Sequence, residues 1–246
     1  MSDLRKLSIR EFFSLLGLNF VVQVRNLFEL FKVAFKYYSN FEFFKADLSL
    51  RLMYLFHNPF SISKRFLIAK GESNIYAYGE TPLTTLEKIV KESDITKKDC
   101  VYELGCGRGR TCFWLRSFIG CKVVGIEMVP EFVDRAKRIT KKLKISNLQF
   151  ELNDICTTNY DSATVIYLYG TCLEDHTIGI LIEKFAQLPI GTKIITVSYP
   201  LNDFTNKPNF EIMKCFTGNF AWGETEIYLN VVKKGDSSKI KFFGSD

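Results

Sequence analysis

Histidine is scarce in this 246-residue chain, which has only His57 and His176. That scarcity excludes a His-rich metal centre and leaves little material for a Ser/His/Asp triad. Cysteine is present seven times, an odd number, and no two cysteines stand in a C-x-x-C arrangement. A disulfide framework or a zinc site is therefore not expected, nor any other metal site, and reduced thiols fit a cytoplasmic chain. Long apolar runs are missing too. The most apolar early stretch, Phe12 to Val24, is broken by Ser14, Gly17, Asn19 and Gln23, whereas a bilayer span needs about 20 apolar residues. Arg5, Lys6 and Arg10 precede it as the charged end of a signal peptide would, but Arg25 and Asn26 come after it instead of a small-residue cleavage site.

What the chain does have is unevenly placed. Hydrophobic residues make up 47% of it and charged residues 24%, enough apolar material for a sizeable core. Residues 1–70 hold 11 Lys and Arg against 5 Asp and Glu, so the whole net charge of +6 sits there, and the remainder balances at 22 against 22. Of the 36 aromatic residues, 15 also lie in residues 1–70. Leu27, Phe28, Phe31, Ala34, Phe35 and Tyr38 form one helical stripe, opposite Arg25, Glu29, Lys32 and Lys36. A second helix is expected over Ala46–Phe56, ended by Asn58-Pro59. Such a basic, aromatic segment can pack on the next domain or lie in a bilayer interface, and peripheral membrane contact through residues 1–45 stays open. The division expected is a helical, basic, aromatic-rich region over 1–70 and a catalytic domain over 71–246.

The chemistry is concentrated further on. Asp99 to Leu104 read as a buried strand that runs into Glu103-Leu104-Gly105-Cys106-Gly107-Arg108-Gly109. A helical pattern continues through Cys112, Phe113, Leu115 and Ile119, and then Lys122 to Glu127 read as a second strand ending in an acid. Glycines let a backbone turn sharply and approach a ligand closely. An acid at the next strand end can accept from ribose hydroxyls, and open α/β sheets bind ligands at these carboxyl ends.

The G-x-G-x-G spacing, with Glu103 two residues before the first glycine, resembles motif I of the class I S-adenosylmethionine-dependent methyltransferases. The dinucleotide fingerprint is G-x-G-x-x-G instead. The resemblance implies a Rossmann-like α/β fold with a seven-strand sheet, S-adenosylmethionine as cofactor, and Glu103 near its methionine portion. It also implies that Asp154, after the expected third strand Leu148–Leu152, meets the adenine amino group. Ala163–Tyr169 fit the buried fourth strand and Lys193–Ser198 the fifth. Phe210–Phe216 and Glu226–Val232 fit the last two, with the final strand antiparallel between the fifth and sixth.

Upstream, Tyr78-Gly79-Glu80-Thr81-Pro82-Leu83 precedes an expected helix over Leu83–Glu92. This Y-G-E-T element resembles the DOT-type (non-SET) lysine methyltransferases, whose corresponding loop closes over the methionine end of the cofactor. Gly218-Asn219-Phe220-Ala221-Trp222 with Ile227-Tyr228-Leu229 resembles that family's last hairpin, and related membrane-anchored lysine methyltransferases place a hydrophobic segment before a similar core. The cofactor residues implied are Tyr78, Thr81, Glu103, Gly105, Gly107, Glu127 and Asp154. Tyr169-Gly170-Thr171 departs from the family's Asn-rich element after the fourth strand, and Tyr228 could stand where the family has its channel tyrosine.

Tyr169, Tyr199 and Trp222 are the aromatics expected to line an acceptor channel, since two of them lie just past strand ends. No residue stands out as a catalytic base. The acceptor expected is a protein lysine. The alternative is a small molecule or lipid, with the N-terminal helices as lid or interfacial anchor. No nucleic-acid partner is expected, because no N/D-P-P-Y-type element comes after the fourth strand and the catalytic part carries no net charge.

Overall fold

Val101, Tyr102, Glu103 and Leu104 are buried in succession, as a strand covered on both faces requires. In the computed structural model, which describes residues 31–205 and 209–233, this strand, β1 (Cys100–Leu104), is central to a seven-stranded sheet. The others are β2 (Lys122–Glu127), β3 (Leu148–Leu152), β4 (Val165–Leu168), β5 (Lys193–Val197), β6 (Phe210–Phe220) and β7 (Gly223–Val232). Their order is β3-β2-β1-β4-β5-β7-β6. β1 to β5 pair in parallel, and β7 runs antiparallel between β5 and β6. The sheet reverses direction of strand order beside β1, so the carboxyl ends of β1 and β4 flank the crevice in which such sheets bind ligands.

Beside the helical residues 31–37, the strands are accompanied among the described residues by α1 (Phe41–Met53), α2 (Pro59–Lys70), α3 (Leu83–Glu92), α4 (Arg110–Trp114), α5 (Pro130–Leu143) and α6 (Asp175–Phe185). A π-helical turn, Leu115–Ile119, continues α4. α3 buries Leu83, Leu86, Ile89 and Val90, and α5 buries Phe132, Val133, Ala136 and Ile139, each at helical spacing. On one side of the sheet, Ile178, Leu181, Ile182 and Phe185 of α6 join Tyr102, Leu104, Ile166 and Ile194 in the core.

Several expectations need correction. Asn58-Pro59 starts a helix instead of ending one: Asn58 caps α2, accepting from the Phe60 N–H at 2.9 Å, with Pro59 in the first turn. A proline there sacrifices an N–H that has no intrahelical partner anyway. The helix expected over Ala46–Phe56 begins earlier, where Asn40 Oδ1 accepts from the Phe43 N–H at 3.1 Å. The stripe of Leu27–Tyr38 lies partly outside the described residues. Over 31–37, which are helical, the buried side chains are Val33 and Tyr37, while Phe31 and Phe35 are exposed. β6 and β7 are longer than expected and leave a two-residue turn, Ala221-Trp222, between paired Phe220 and Gly223.

The chain divides into two compact units between Phe44 and Lys45, within α1. Among the described residues no helix is long and apolar enough to cross a membrane.

Candidate functional site

Three glycines after β1 adopt positive φ: Gly105 at 71°, Gly107 at 55° and Gly109 at 79°. This is the left-handed region that side chains resist. At Gly109 a Cβ would come within 2.4 Å of the Phe150 ring, so glycine is also needed there for packing. At Gly105 a Cβ would meet nothing within 4 Å. Its backbone therefore borders open space and leaves a ligand free to approach.

Glu127 closes β2 beside this loop. Its Oε2 accepts from Gly107 N–H at 2.8 Å, and its Oε1 accepts from Met128 N–H at 2.8 Å and Val129 N–H at 2.9 Å. A carboxylate has about four lone-pair sites, so roughly one remains, on Oε2, for an outside donor. Glu103 sits deeper, 6% exposed. It accepts from Thr111 Oγ1 at 2.5 Å and from Cys112 Sγ at 3.0 Å. Burial pushes its carboxyl up to about 7, against the pull of those two donors. Asp154 lies two residues beyond β3 and uses one carboxylate oxygen to accept from the Cys156 N–H at 2.7 Å.

A cavity of about 650 Å³ opens along these strand ends. Tyr78, Gly105, Glu127, Asp154, Tyr169 and Trp222 all contribute to its wall, with Val129, Phe132 and Ile155 as apolar neighbours. That volume is within the usual range for a small-molecule site. A second, polar recess of about 20 Å³ adjoins it and shares Gly79, Gly105 and Tyr169. Thr81, Glu103, Arg108, Arg110 and Thr111 line the recess. Thr81 Oγ1 lies 2.6 Å from the Tyr167 hydroxyl, which fixes the loop to β4.

The aromatic wall is built from two distant segments. Tyr169, just past β4, lies parallel to Phe220 and Trp222 of the β6–β7 hairpin, with centroids 5.3 and 5.5 Å away and interplanar angles of 11° and 17°. Phe220 and Trp222 lie 5.1 Å apart. Three parallel rings at nearly equal separations cannot form a single column; they tile a surface. The Tyr169 hydroxyl is buried without a hydrogen-bond partner. Burial pushes its phenol well above the ordinary range, so it stays protonated at neutral pH. Tyr199 is not brought to the cavity wall. Its ring packs on Phe204 at 5.2 Å and its hydroxyl donates to the Gly170 carbonyl at 3.4 Å, behind that wall. Tyr228 points its hydroxyl to Glu226 on the exposed hairpin.

Sequence reasoning overlooked the two arginines of the glycine loop. Arg108 donates twice to Glu80, at 2.5 and 2.8 Å. Tyr78 donates to the same carboxylate at 2.5 Å, and its ring covers Gly107, where a Cβ would meet it at 3.1 Å. Arg110 pairs with Asp47 of α1, 1% exposed. The signal available was G-x-G-R-G-R itself, two cations in a loop otherwise chosen for small size.

Residues 95–178 match the family model described as a methyltransferase domain. Fold, matched segment and glycine loop together define a class I, S-adenosylmethionine-dependent methyltransferase domain. The chain is similar to a histone-lysine N-methyltransferase, H3 lysine-79 specific, of Dictyostelium discoideum, 24% identical over 137 residues that cover 49% of this chain and 7% of that one, a small part of that relative's length. It is similar to a protein-lysine N-methyltransferase of Saccharolobus islandicus, 24% identical over 157 residues, covering 63% of this chain and 92% of that one. Its fold is shared with an RNA methyltransferase from Salinibacter ruber in complex with S-adenosyl-L-homocysteine: TM-score 0.52, 23% identity, 63% of this chain and 94% of that one. The residues present fit the cofactor. Gly105 leaves open space at the loop, Glu127 keeps a free acceptor site, and Glu103 offers a buried carboxylate.

Proposed function

We propose that the chain transfers a methyl group from S-adenosylmethionine to a protein lysine side chain, in the manner of the DOT-type enzymes. The observation that carries this reading is the Tyr169–Trp222 surface, backed by the buried Phe220 ring, an apolar wall on the same cavity as the glycine loop. The Y-G-E-T element and the two lysine-methylating relatives support it.

When bound, the cofactor supplies a sulfonium methyl already activated by positive charge, so positioning does most of the work. Glu127 would hold a ribose hydroxyl, Asp154 the adenine amino group, and Glu103 the ammonium of the methionine tail. Tyr78 would cover the glycine loop, and Thr81 would anchor the covering segment to Tyr167. The acceptor amine must reach this wall neutral, although a free lysine titrates at about 10.4. Burial against the Tyr169 and Trp222 rings disfavours the ammonium and drives its proton out to solvent before transfer. The Tyr169 hydroxyl, held protonated, positions the amine and abstracts nothing.

The test is incubation of protein, RNA and small-molecule fractions of a cell lysate with radiolabelled cofactor. Label in protein, recovered as methyl-lysine after hydrolysis, is expected. Label confined to RNA or to the small-molecule fraction would replace the acceptor assigned here.

A further inference from the structure

The turn between α1 and α2 presents to solvent the kind of side chains that proteins bury. Phe56 is 87% exposed, Leu55 66%, Leu52 63% and Phe60 60%. Leu48, Leu52 and Leu55 follow one another at helical spacing along α1 and just past its end, while Ala46, Leu50 and Tyr54 fill the opposite, buried face. A helix that is apolar on both faces normally has both covered. Large apolar side chains clustered in the open mark an interaction surface.

The turn is not a loose end. Tyr54 is buried, with its ring 4.6 Å from the Arg135 guanidinium and 6.1 Å from the Phe132 ring. Arg135 Nη1 donates to the Met53 carbonyl at 2.6 Å, and Asn58 caps α2. Phe60 meets the Tyr78 ring edge-on, with centroids 5.1 Å apart. Further along, α2 lines the large cavity with Ser63, Leu67 and Lys70. The exposed turn is thus fixed to the wall of the candidate site.

The charges around it are of one sign. No acid occurs between Asp47 and Glu72, a stretch that holds Arg51, Lys64, Arg65 and Lys70. Within it, residues 52–63 carry no formal charge, and bases stand on both sides, Arg51 before and Lys64 and Arg65 after. An apolar tip with flanking bases suits a bilayer interface: the tip enters the acyl boundary, and Lys and Arg reach the phosphates of anionic headgroups. A nucleic-acid backbone would call for bases at the tip itself, where Leu and Phe stand. The uncharged stretch is also far shorter than the roughly 20 residues of a span.

We propose that the α1–α2 turn is a peripheral membrane-docking surface that inserts Leu52, Leu55, Phe56 and Phe60 into the interface of an anionic lipid bilayer. It lies beyond residues 1–45, for which bilayer contact was left open from the sequence, and it does not depend on which acceptor is methylated. Because α2 joins the turn to the cavity wall, docking would hold the cavity within a helix length of the lipid surface.

The test is co-sedimentation of the full chain with vesicles of phosphatidylcholine mixed with phosphatidylserine, and with vesicles of phosphatidylcholine alone. The mixed vesicles are expected to bind, and the neutral ones to bind at least about tenfold more weakly. Leu55→Ser/Phe56→Ser should weaken binding to the mixed vesicles by at least about tenfold. Lys64→Gln/Arg65→Gln should remove most of the preference for them. The serine variant should keep the melting temperature of the unmodified protein, since both positions are exposed. If it does not fold, Phe56→Trp gives a reading without any loss: its indole emission should shift to shorter wavelength on the mixed vesicles and be quenched by brominated acyl chains. Binding retained by the serine variant, an unshifted emission, or no binding by the unmodified protein overturns the proposal. Heparin binding weakened as much as vesicle binding by Leu55→Ser/Phe56→Ser would also overturn it, in favour of a soluble polyanion.

Discussion

Arg108 and Glu80 form a two-pronged ion pair, 2.5 and 2.8 Å, that clasps the glycine loop to the segment preceding α3. The arginine beside Glu80 holds its carboxyl below the usual carboxylate value despite burial. Glu80→Gln leaves a largely buried guanidinium short of its counter-charge. We expect a loss of about 1.5–3 kcal/mol in stability, the worth of hydrogen bonds to a charged group. Thermal denaturation should register it as a drop of several degrees, and an unchanged melting temperature would show the clasp to be ornamental.

Glu127→Ala should reduce affinity for S-adenosylhomocysteine roughly ten- to hundredfold. The same change frees the N–H groups of Gly107, Met128 and Val129, which Glu127 now satisfies. Alanine should therefore lower stability as well. Titration beside a melting curve separates the two, and unaltered affinity would place the ribose elsewhere.

Glu103 should make both stability and binding depend on pH. Its carboxyl is pushed from 4.5 in the unfolded chain to about 7 in the folded one. Between those values the unfolded state gives up a proton that the folded state retains. Stability from this group is therefore complete below about pH 4.5 and declines as pH rises towards 7, by something on the order of 3 kcal/mol. Binding of an ammonium beside it favours the ionised form, so cofactor affinity should climb as pH rises towards about 7, with release of a proton. Glu103→Gln should flatten both profiles, which denaturant titrations and calorimetry in two buffers would reveal.

Gly125 on β2 has no spare room. A Cβ there would lie 2.7 Å from Cys106 Sγ, 2.9 Å from the Phe150 ring and 3.0 Å from Cys112 Sγ. Gly125→Ala should cost about 1–3 kcal/mol by overpacking, measurable by urea unfolding.

Trp222→Ala should raise the KM for the methylated acceptor severalfold and leave cofactor affinity within about twofold. Trp222 lies at the hairpin turn, 54% exposed, and comes from a different segment of the chain than the glycine loop. Equal losses for both ligands would contradict the division of the cavity proposed here.

Much of this architecture could be read from local pattern. Periodicity and glycine placement sufficed for β1, β2 and the loop between them, and Leu83–Glu92 emerged with the boundaries expected. Glu127 and Asp154 were visible because each stands at a strand end. Pairings such as Arg108 with Glu80 and Arg110 with Asp47 were not, since a charge far along the chain leaves no periodic trace. Asn58-Pro59 misled because the same dipeptide serves a turn or a helix start, and the residues after it decide between the two. Tyr199 misled for a related reason: a position after a strand end brings a side chain near the cavity without deciding whether it faces inward.

The hairpin Phe220–Gly223 reaches across the sheet to stand beside Tyr169, so the aromatic wall draws one side from the middle of the chain and the other from a two-residue turn near its end. The residues proposed for cofactor contact all precede it, between Tyr78 and Asp154. A short surface turn, tethered by strands on both sides, is a place where sequence can change without disturbing the loop that holds the common reagent. Exchange of Ala221-Trp222 for other dipeptides is then a means of redirecting such a catalyst to new acceptors while its methyl supply stays the same.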